Sequence, residues 1–413
     1  MKLISEARIT ADWLKSKSLQ RLFDILTDEG NETLVVGGAV RNSLLGTKDG
    51  DVDLATVFEP QQMIDRLQAA GEKAVPTGFD HGTVTAVIDG KGFEVTTLRE
   101  DIETDGRHAI VRFGTDWVQD AKRRDFTMNA LYCNRDGEIF DPLGGYDDLK
   151  NGDVKFIGDA GQRIEEDALR ILRFYRFFAW YGSGRPDAAG LKACAARKGL
   201  IENLSVERIW MELKKLLAAP DPGRALLWMR TTGVLSTVLP ESEKWGIDFL
   251  PELIRQERAE EWNDAGNSDP LLRLMAIIPP RQETVEGLTK RLSMSNAERD
   301  RLLVWSQSKV PVGYQDKSAL AKFLYVEGQA GTLDAMKLEA IQMPTRDADP
   351  SELHGAIKFA ENWTRPKFPL SGKDLSDKGI PSGPHMGKRL AALETRWVES
   401  GFSLTRETLL EEV

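Results

Sequence analysis

The sequence has 413 residues, of which 41% are hydrophobic and 29% are charged, as in a globular protein with room for roughly two to four domains. No apolar run approaches the roughly 20 residues of a membrane span, and the N-terminus lacks the apolar stretch of a signal peptide. The net charge of −10 argues against non-specific coating of nucleic acid, although a local basic cluster can still bind a specific RNA.

The N-terminal 30 residues are predicted to form an amphipathic helix that starts near Thr10. Its buried face would consist of Trp13, Leu14, Leu22, Phe23 and Leu26.

The two cysteines, Cys133 and Cys194, fit neither a disulfide framework nor a zinc-binding spacing. We expect them to be reduced core residues, which favours the cytoplasm as the location of the protein.

The most informative stretch runs from Leu34 to Thr56. Its apolar start predicts a buried strand, a glycine pair ends that strand, and helical spacing follows. The segments are a strand over 34–36, a turn at Gly37 and Gly38, a helix over 39–45, and a second strand over 51–55.

This stretch has the chemistry of a nucleoside triphosphate site. Gly37 and Gly38 let backbone N–H groups approach phosphate at a helix N-terminus, and Arg41 can add guanidinium donors. Residues two apart on a strand share a face, so Asp51 and Asp53 would direct two carboxylates to one place. Mg²⁺ takes one or two carboxylates together with phosphate oxygens, which makes this pair the predicted metal ligands.

Two further segments bear on this site. Residues 81–88 and 92–98 alternate like paired strands, which makes Glu94 a candidate third catalytic carboxylate if the strand register allows it. Residues 99–116 are polar and rich in turn formers, and they predict either a mobile loop over the site or a plain surface connection.

Residues 165–178 have strong helical periodicity and contain neither proline nor glycine. Four charged residues recur every three positions along one broad side: Asp167, Arg170, Arg173 and Arg176. The simplest interpretation is a solvated face with an Asp–Arg pair, but the regular row of three arginines behind an acid is unusual.

Five segments together resemble the signatures of the nucleotidyltransferase superfamily, in the branch of bacterial class II CCA-adding enzymes and bacterial poly(A) polymerases. These segments are 34–56, 121–131 (AlaLysArgArgAspPheThrMetAsnAlaLeu), 141–149 (AspProLeuGlyGlyTyrAspAspLeu), 165–178 and 205–217. One departure is Asn42, where the family usually has Asp. The resemblance is specific over residues 34–217 and weaker beyond them.

The resemblance implies an α+β fold, with a nucleotidyltransferase-type head built on a small mixed β-sheet with flanking helices, followed by an all-α neck, body and tail. The expected divisions are the N-terminal helix at 1–30, the catalytic head at 31–153, the base-reading neck at 154–219, the body at 220–343 and a tRNA-binding tail at 344–413. Residues 344–350 would be a linker.

The resemblance also gives roles to several nucleotide-binding residues. Arg124 would hold phosphate or ribose oxygens, and Asp125 would accept a hydrogen bond from a ribose hydroxyl. Cytosine and adenine present an amine donor beside a ring-nitrogen acceptor, which Asp167 and Arg170 can satisfy together. Uracil and guanine present the reverse pattern, so each wrong base would cost about 1–3 kcal/mol. Arg173 and Arg176 would reach the triphosphate or the phosphates of the primer.

The implied reaction is the template-independent addition of C, C and A to the 3′ end of tRNA from CTP and ATP, with Mg²⁺ on Asp51 and Asp53. Three alternatives remain: a poly(A) polymerase, a CC-adding enzyme that differs chiefly near 99–116, and a non-catalytic RNA-binding protein. The sequence does not determine the oligomeric state.

Overall fold

The structure is a computed structural model, and it describes residues 2–47, 50–105, 108–243, 246–259, 268–343 and 351–413. The chain divides into two compact units, Met1–Val238 and Leu239–Val413. The predicted linker at 344–350 lies outside the described residues.

The first unit contains all of the described strands. Their bounds are β1 Lys2–Arg8, β2 Thr33–Val36, β3 Asp53–Thr56, β4 Lys73–Gly78, β5 Thr83–Ile88, β6 Lys91–Thr97, β7 Arg99–Asp105, β8 His108–Phe113, β9 Tyr132–Cys133 and β10 Glu138–Asp141. Eight of them form one sheet in the order β1-β10-β9-β2-β3-β6-β5-β4. β3 and β6 pair in parallel and the other neighbours are antiparallel, so the sheet is mixed, as expected.

The apolar strand β2 lies in the interior of this sheet, between β9 and β3, and all four of its residues are buried. The helices of the first unit are α1 Lys17–Leu26, α2 Gly38–Leu44, α3 Pro60–Ala69, α4 Trp117–Lys122, α5 Gly145–Asn151, α6 Ala160–Glu166, α7 Leu169–Tyr181, α8 Ala188–Arg197, α9 Val206–Leu217, α10 Gly223–Thr231 and α11 Val234–Val238. From α5 onward the described regular elements are helical, which confirms the α+β class with a helical second part.

The second unit is built from helices. They are α12 Leu250–Arg258, α13 Pro270–Ala276, α14 Gln282–Arg291, α15 Asn296–Gln307, α16 Lys317–Glu327, α17 Gln329–Gln342, α18 Ser351–Asn362, α19 Gly372–Asp377, α20 Pro384–Glu399 and α21 Arg406–Glu411. An apolar cluster with Leu375, Leu393 and Leu409 at its centre joins the last three helices to Tyr325 of α16. None of the helices in the described ranges is long and apolar enough to cross a membrane.

The helix predicted to start near Thr10 starts later, and a strand that the sequence analysis did not predict precedes it. Residues 2–8 form β1, which pairs with β10 in the main sheet, and the helix begins only at Lys17. The apolar residues Leu22, Phe23 and Leu26 are nevertheless buried on α1, as expected. The sheet edge at β10 supplies the backbone hydrogen-bond partners that make residues 2–8 a strand.

The prediction that residues 99–116 lack regular structure was also wrong, because β7 and β8 pair as a separate two-stranded ribbon. The pairing runs from Arg99 opposite Phe113 to Asp105 opposite His108. A ribbon of this kind pairs through its backbone, so polar side chains do not prevent it.

Candidate active site

The glycine turn and the second strand bring the first predicted residues together. Gly37 ends β2 with a φ of 78°, a conformation that glycine adopts readily, and Gly38 begins α2. Val36 pairs with Asp53, so the turn and the first residue of β3 lie side by side.

Three acidic residues surround the start of β3. Leu54 pairs in parallel with Val95, which places Glu94 of β6 next to Asp53. Burial, and then the charges of Glu94 and Asp51, raise the pKa of Asp53 to about 6. The sequence analysis placed Asp51 on the second strand, but β3 begins only at Asp53. Asp53 pairs with Val36, the last residue of β2, and the chain turns at Gly37 beyond it.

Within the described part of the chain, no group of three His, Cys, Asp or Glu side chains is arranged to hold a metal ion. Asp51 and Asp53 remain as a two-carboxylate donor set. This set fits Mg²⁺, which takes one or two carboxylates and completes its shell with water and phosphate oxygens. Burial and the charges of Glu94 and Asp51 disfavour the ionised form of Asp53, and a divalent cation would offset both effects, so the residues present suit such an ion.

Arg41 lies on α2 with its guanidinium buried, at 7% exposure. Its Nη1 donates to the side-chain oxygen of Asn129, and its Nη2 donates to the hydroxyl of Tyr181 at 2.8 Å. Asn42 accepts from Nε at 3.2 Å and from Nη2 at 2.9 Å. The predicted phosphate-binding guanidinium is thus held by uncharged groups.

Arg124 is fixed by an acid that the sequence analysis missed. Asp120 is fully buried, and its Oδ2 accepts from Arg124 Nη2 at 3.1 Å and from the hydroxyl of Tyr132 at 2.8 Å. Its Oδ1 accepts from Arg123 Nε at 2.7 Å. Burial alone would lower the pKa of Arg124, but the Asp120 carboxylate outweighs burial and raises it.

Asp125 connects the head to the predicted base-reading helix. Its Oδ2 accepts from Arg173 of α7, at 2.8 Å from Nε, and its Oδ1 accepts from Asn129 Nδ2 at 2.8 Å. Burial would raise the pKa of Asp125, but Arg173 and then Asn129 hold it below its usual value. The carboxylate predicted to meet a ribose hydroxyl therefore already has donors at both of its oxygens.

The helix predicted over 165–178 is interrupted at Asp167. α6 ends at Glu166, Asp167 is extended with φ −152°, and α7 begins at Leu169. The carboxylate of Asp167 accepts from the backbone N–H of Leu169 at 3.1 Å, which favours a break at that point.

Asp167 and Arg170 do not pair with each other, and each has a different partner. Nη2 of Arg208 on α9 donates to both oxygens of Asp167, at 3.1 and 2.8 Å. Nη1 of Arg170 donates to Glu166 Oε2 at 2.7 Å and to the carbonyl of Arg163 at 2.8 Å. The expected Asp–Arg pair is thus replaced by two separate ion pairs.

Arg176, the last arginine of the predicted row, lies against α9. Its Nε donates to Glu212 Oε2 at 2.6 Å, and its guanidinium carbon lies 4.5 Å from the ring centre of Phe177.

One cavity of about 440 Å³ gathers most of these side chains, and nine of the twelve predicted site residues line it. These nine are Gly37, Gly38, Arg41, Asp53, Arg124, Asp125, Asp167, Arg170 and Arg173. Asn129 and Arg208 also line it, although the sequence analysis did not predict them as site residues. Arg208 stands in the segment recognised as the fifth signature, but no spacing rule linked it to Asp167.

Comparisons with known proteins match this architecture. Residues 33–155 match the family model described as the poly A polymerase head domain, and residues 187–245 match the one described as a probable RNA and SrmB-binding site of polymerase A. The mitochondrial CCA tRNA nucleotidyltransferase 1 of Mus musculus is 36% identical over 97% of this chain and 90% of its own length. The CCA-adding enzyme of Anoxybacillus flavithermus is 38% identical over 94% of both chains.

A solved structure agrees with these relatives. The crystal structure of the Bacillus stearothermophilus CCA-adding enzyme in complex with CTP matches with a TM-score of 0.73 and 27% identity, over 93% of both chains. The fold and the long alignments place the chain among enzymes of the nucleotidyltransferase class. It belongs to the family of class II CCA-adding enzymes.

Proposed function

We propose that this chain adds C, C and A to the 3′ end of tRNA from CTP and ATP and releases pyrophosphate. The observation that carries the proposal is the single cavity in which Asp53, Asp167 and Arg170 meet. The CCA-adding relatives, among them the enzyme solved with CTP, support the same substrates.

The proposed reaction joins the 3′ oxygen of tRNA to the α-phosphorus of the nucleotide, and the bond from that phosphorus to pyrophosphate breaks. Asp51 and Asp53 would hold Mg²⁺, which would neutralise phosphate charge and favour the ionised hydroxyl. Gly37, Gly38 and Arg41 would bind the triphosphate. Glu94 would add negative charge beside Asp53 and so strengthen the attraction of this site for a cation.

Base selection follows from hydrogen-bond polarity. A carboxylate accepts and a guanidinium donates, so Asp167 with Arg170 satisfies the amine and ring nitrogen of cytosine or adenine. Uracil and guanine would set carbonyl against carboxylate and N–H against guanidinium. Arg208 and Glu166 each fix one member of the reading pair, which keeps the two side chains from rotating to suit the wrong base.

We further propose the division into head, neck, body and tail, with residues 344–413 contacting tRNA. The matches at 33–155 and 187–245 support a head followed by a helical RNA-binding part. A cytoplasmic location stays a prediction, since the mouse relative is mitochondrial by name.

Product length tests the proposal directly. A tRNA transcript without its CCA end is incubated with CTP, with ATP, and with both, and the products are resolved on a denaturing gel. We expect two cytidines with CTP alone, none or trace extension with ATP alone, and CCA with both. Long adenosine ladders would identify a poly(A) polymerase, a stop after two cytidines a CC-adding enzyme, and no extension a binding protein.

Asp53→Ala is the matched inactive variant. It should abolish transfer and leave tRNA affinity within about twofold, because Asp53 faces the nucleotide cavity. A variant that transfers nucleotides at close to the parent rate would show that Asp53 does not hold the metal.

A further inference from the structure

An exposed tryptophan stands on the side of α7 that lines the nucleotide cavity. Trp180 follows Arg173 by about two helical turns, so the two side chains leave the helix in nearly the same direction. Arg173 lines the cavity, and Trp180 lies roughly 10 Å farther along the helix, at about 1.5 Å per residue. The residue is 40% exposed. The cavity side of α7 therefore ends in an aromatic ring that solvent can reach.

Helix α9 runs beside α7 in the same direction and continues this surface. Arg208 meets Asp167 at the start of the two helices, and the indole Nε1 of Trp180 donates to the carbonyl oxygen of Lys215 at 2.9 Å near their ends. Lys215 follows Arg208 by about two turns, so it shares the side of α9 on which Arg208 reaches the cavity. Met211 lies between them and is 56% exposed. Trp180, Met211 and Lys215 thus form a strip that leads away from the cavity, here named the Trp180 strip.

The chemistry of the Trp180 strip suits single-stranded nucleic acid. The hydrogen bond to Lys215 fixes the polar edge of the indole on α9, and part of the ring surface stays open to solvent. The side chain of Lys215 is itself exposed, and its positive charge attracts phosphate. Aromatic rings on which bases stack, next to cations that follow the backbone, are the combination that binds unpaired strands without reading their sequence. Met211 adds a polarizable thioether beside the ring.

The proposed reaction identifies the strand. The 3′ oxygen of tRNA has to reach the α-phosphorus in the cavity that contains Asp53, so the nucleotides before it leave over the rim of that cavity. We propose that Trp180 is a positioning residue on which an unpaired base near the 3′ end of the tRNA stacks. The inference rests on the proposed function, because that function brings the tRNA end to this cavity. Trp180 holds the strand and contacts no reacting atom.

The test uses the full-length protein and a tRNA transcript that lacks its CCA end and carries 2-aminopurine as its last, unpaired nucleotide. A transcript without that nucleotide, which ends in a blunt acceptor stem, is the matched RNA. Trp180→Leu removes the aromatic face, and Trp180→Phe keeps a ring but loses the hydrogen bond to α9. Phe79→Leu is the control, because Phe79 is an aromatic residue of the head with a similar exposure of 42%.

Stacking quenches the fluorescence of 2-aminopurine. We expect the parent and Phe79→Leu to quench it and to bind the unpaired end roughly tenfold more tightly than the blunt end. Trp180→Leu should lose the quenching and most of this preference, with KM for tRNA raised about tenfold and a smaller change in kcat. Trp180→Phe should keep most of both. Binding of CTP without tRNA should be the same in all variants, because neither position lines the cavity.

Three results would overturn the inference. In the first, Trp180→Leu quenches like the parent or loses affinity equally for the two transcripts. In the second, Trp180→Leu also loses CTP binding, which would show that the indole only supports α9. In the third, Trp180→Phe is as weak as Trp180→Leu, which would assign the effect to the hydrogen bond with Lys215. Parent protein that quenches as expected but transfers no nucleotide would instead contradict the proposed function.

Discussion

At the scale of single residues, the site depends on side chains that already have partners in the empty protein. Asp167 is held by Arg208, Arg170 by Glu166 and Asp125 by Arg173. Such pairs contribute little net stability compared with apolar packing, but they fix direction, which a residue that reads hydrogen-bond polarity requires. Base selection should therefore depend on the partners as well as on the reading pair.

Arg170→Ala should relax selection against UTP and GTP, because it removes the donor that opposes the ring N–H of uracil and guanine and that the ring nitrogen of cytosine or adenine accepts. We expect the preference for CTP over UTP to fall by about 1–3 kcal/mol, roughly fivefold to 150-fold in the ratio of kcat/KM. Single-turnover assays with each nucleotide measure this. Arg208→Gln should shift the ratio in the same direction by less. A slower Arg170→Ala enzyme with full selectivity would argue against base reading.

The raised pKa of Asp53 predicts that the stability of the fold depends on pH. Its folded pKa of about 6 lies above the ordinary value of 3.8, so the stability this group contributes is present below about pH 4 and is lost as pH rises through 6. Without metal at pH 7.5, Asp53→Asn should be more stable by about 1 kcal/mol. This is less than the roughly 3 kcal/mol of the full shift, because Asp53 is desolvated on the side of Glu94 and Asp51 but keeps an exposed surface where water screens its charge.

Urea unfolding at pH 7.5 and pH 5.5 measures the difference, which should shrink at the lower pH as the parent carboxylate is protonated. Mg²⁺ should raise the melting temperature of the parent more than that of Asp53→Asn. A variant that is less stable than the parent at both pH values would show that burial and repulsion do not destabilise the ionised form of Asp53.

At the scale of elements, α4 and β9 are joined by the buried acid Asp120. Its two oxygens accept from Arg123, Arg124 and Tyr132, so one carboxylate orients an arginine of the site and fastens a helix to the sheet. Burial would raise the pKa of Asp120, but Arg124 and then Arg123 hold it below its usual value, so it is ionised at neutral pH.

Asp120→Asn should cost about 3 kcal/mol of unfolding free energy, because it leaves two arginines without their buried counterion. Asp24→Ala is the control, since Asp24 pairs with Arg135 at the exposed surface and should cost less than about 0.5 kcal/mol. Denaturant titration followed by tryptophan fluorescence compares the two. Equal effects would mean that the buried network adds nothing beyond a surface pair.

At the scale of the whole molecule, the nucleotide cavity belongs to the first unit, and the segment proposed to contact tRNA belongs to the second. The chain is acidic overall, so attraction to RNA has to come from local basic side chains. Lys373, Lys378 and Lys388 are exposed on and near α19 and α20.

Replacing these three lysines with alanine should weaken tRNA binding and reduce the salt slope of log K by about 0.7–0.9 for each phosphate that a lysine no longer neutralises. Binding of CTP in the absence of tRNA should not change, because the residues that line the cavity belong to the first unit. Lys15→Ala, an exposed change in the first unit, is the control. Filter binding over a range of salt concentrations measures the slope. An unchanged slope would place the tRNA-binding surface elsewhere.

Local signals in the sequence determined a large part of this protein. The strand, glycine turn and helix at 33–44, and the buried face of α7, follow from periodicity and turn chemistry over a few residues. The second predicted strand supplied Asp53, and the charged row in 165–178 supplied Asp167 and Arg170, which the fold brings to one cavity. The signature motifs predicted the family for the same reason, since each is a short run with its own geometry.

The tertiary structure alone decided which charges from distant segments pair. Asp125 meets Arg173 across 48 positions, and Asp167 meets Arg208 across 41. It also made residues 2–8 a strand, and it paired residues 99–105 with 108–113 as a ribbon, because sheet edges and backbone partners decide pairing where side-chain patterns are weak. Short-range patterns encode a local conformation, but a partner from a distant segment exists only after the chain has packed.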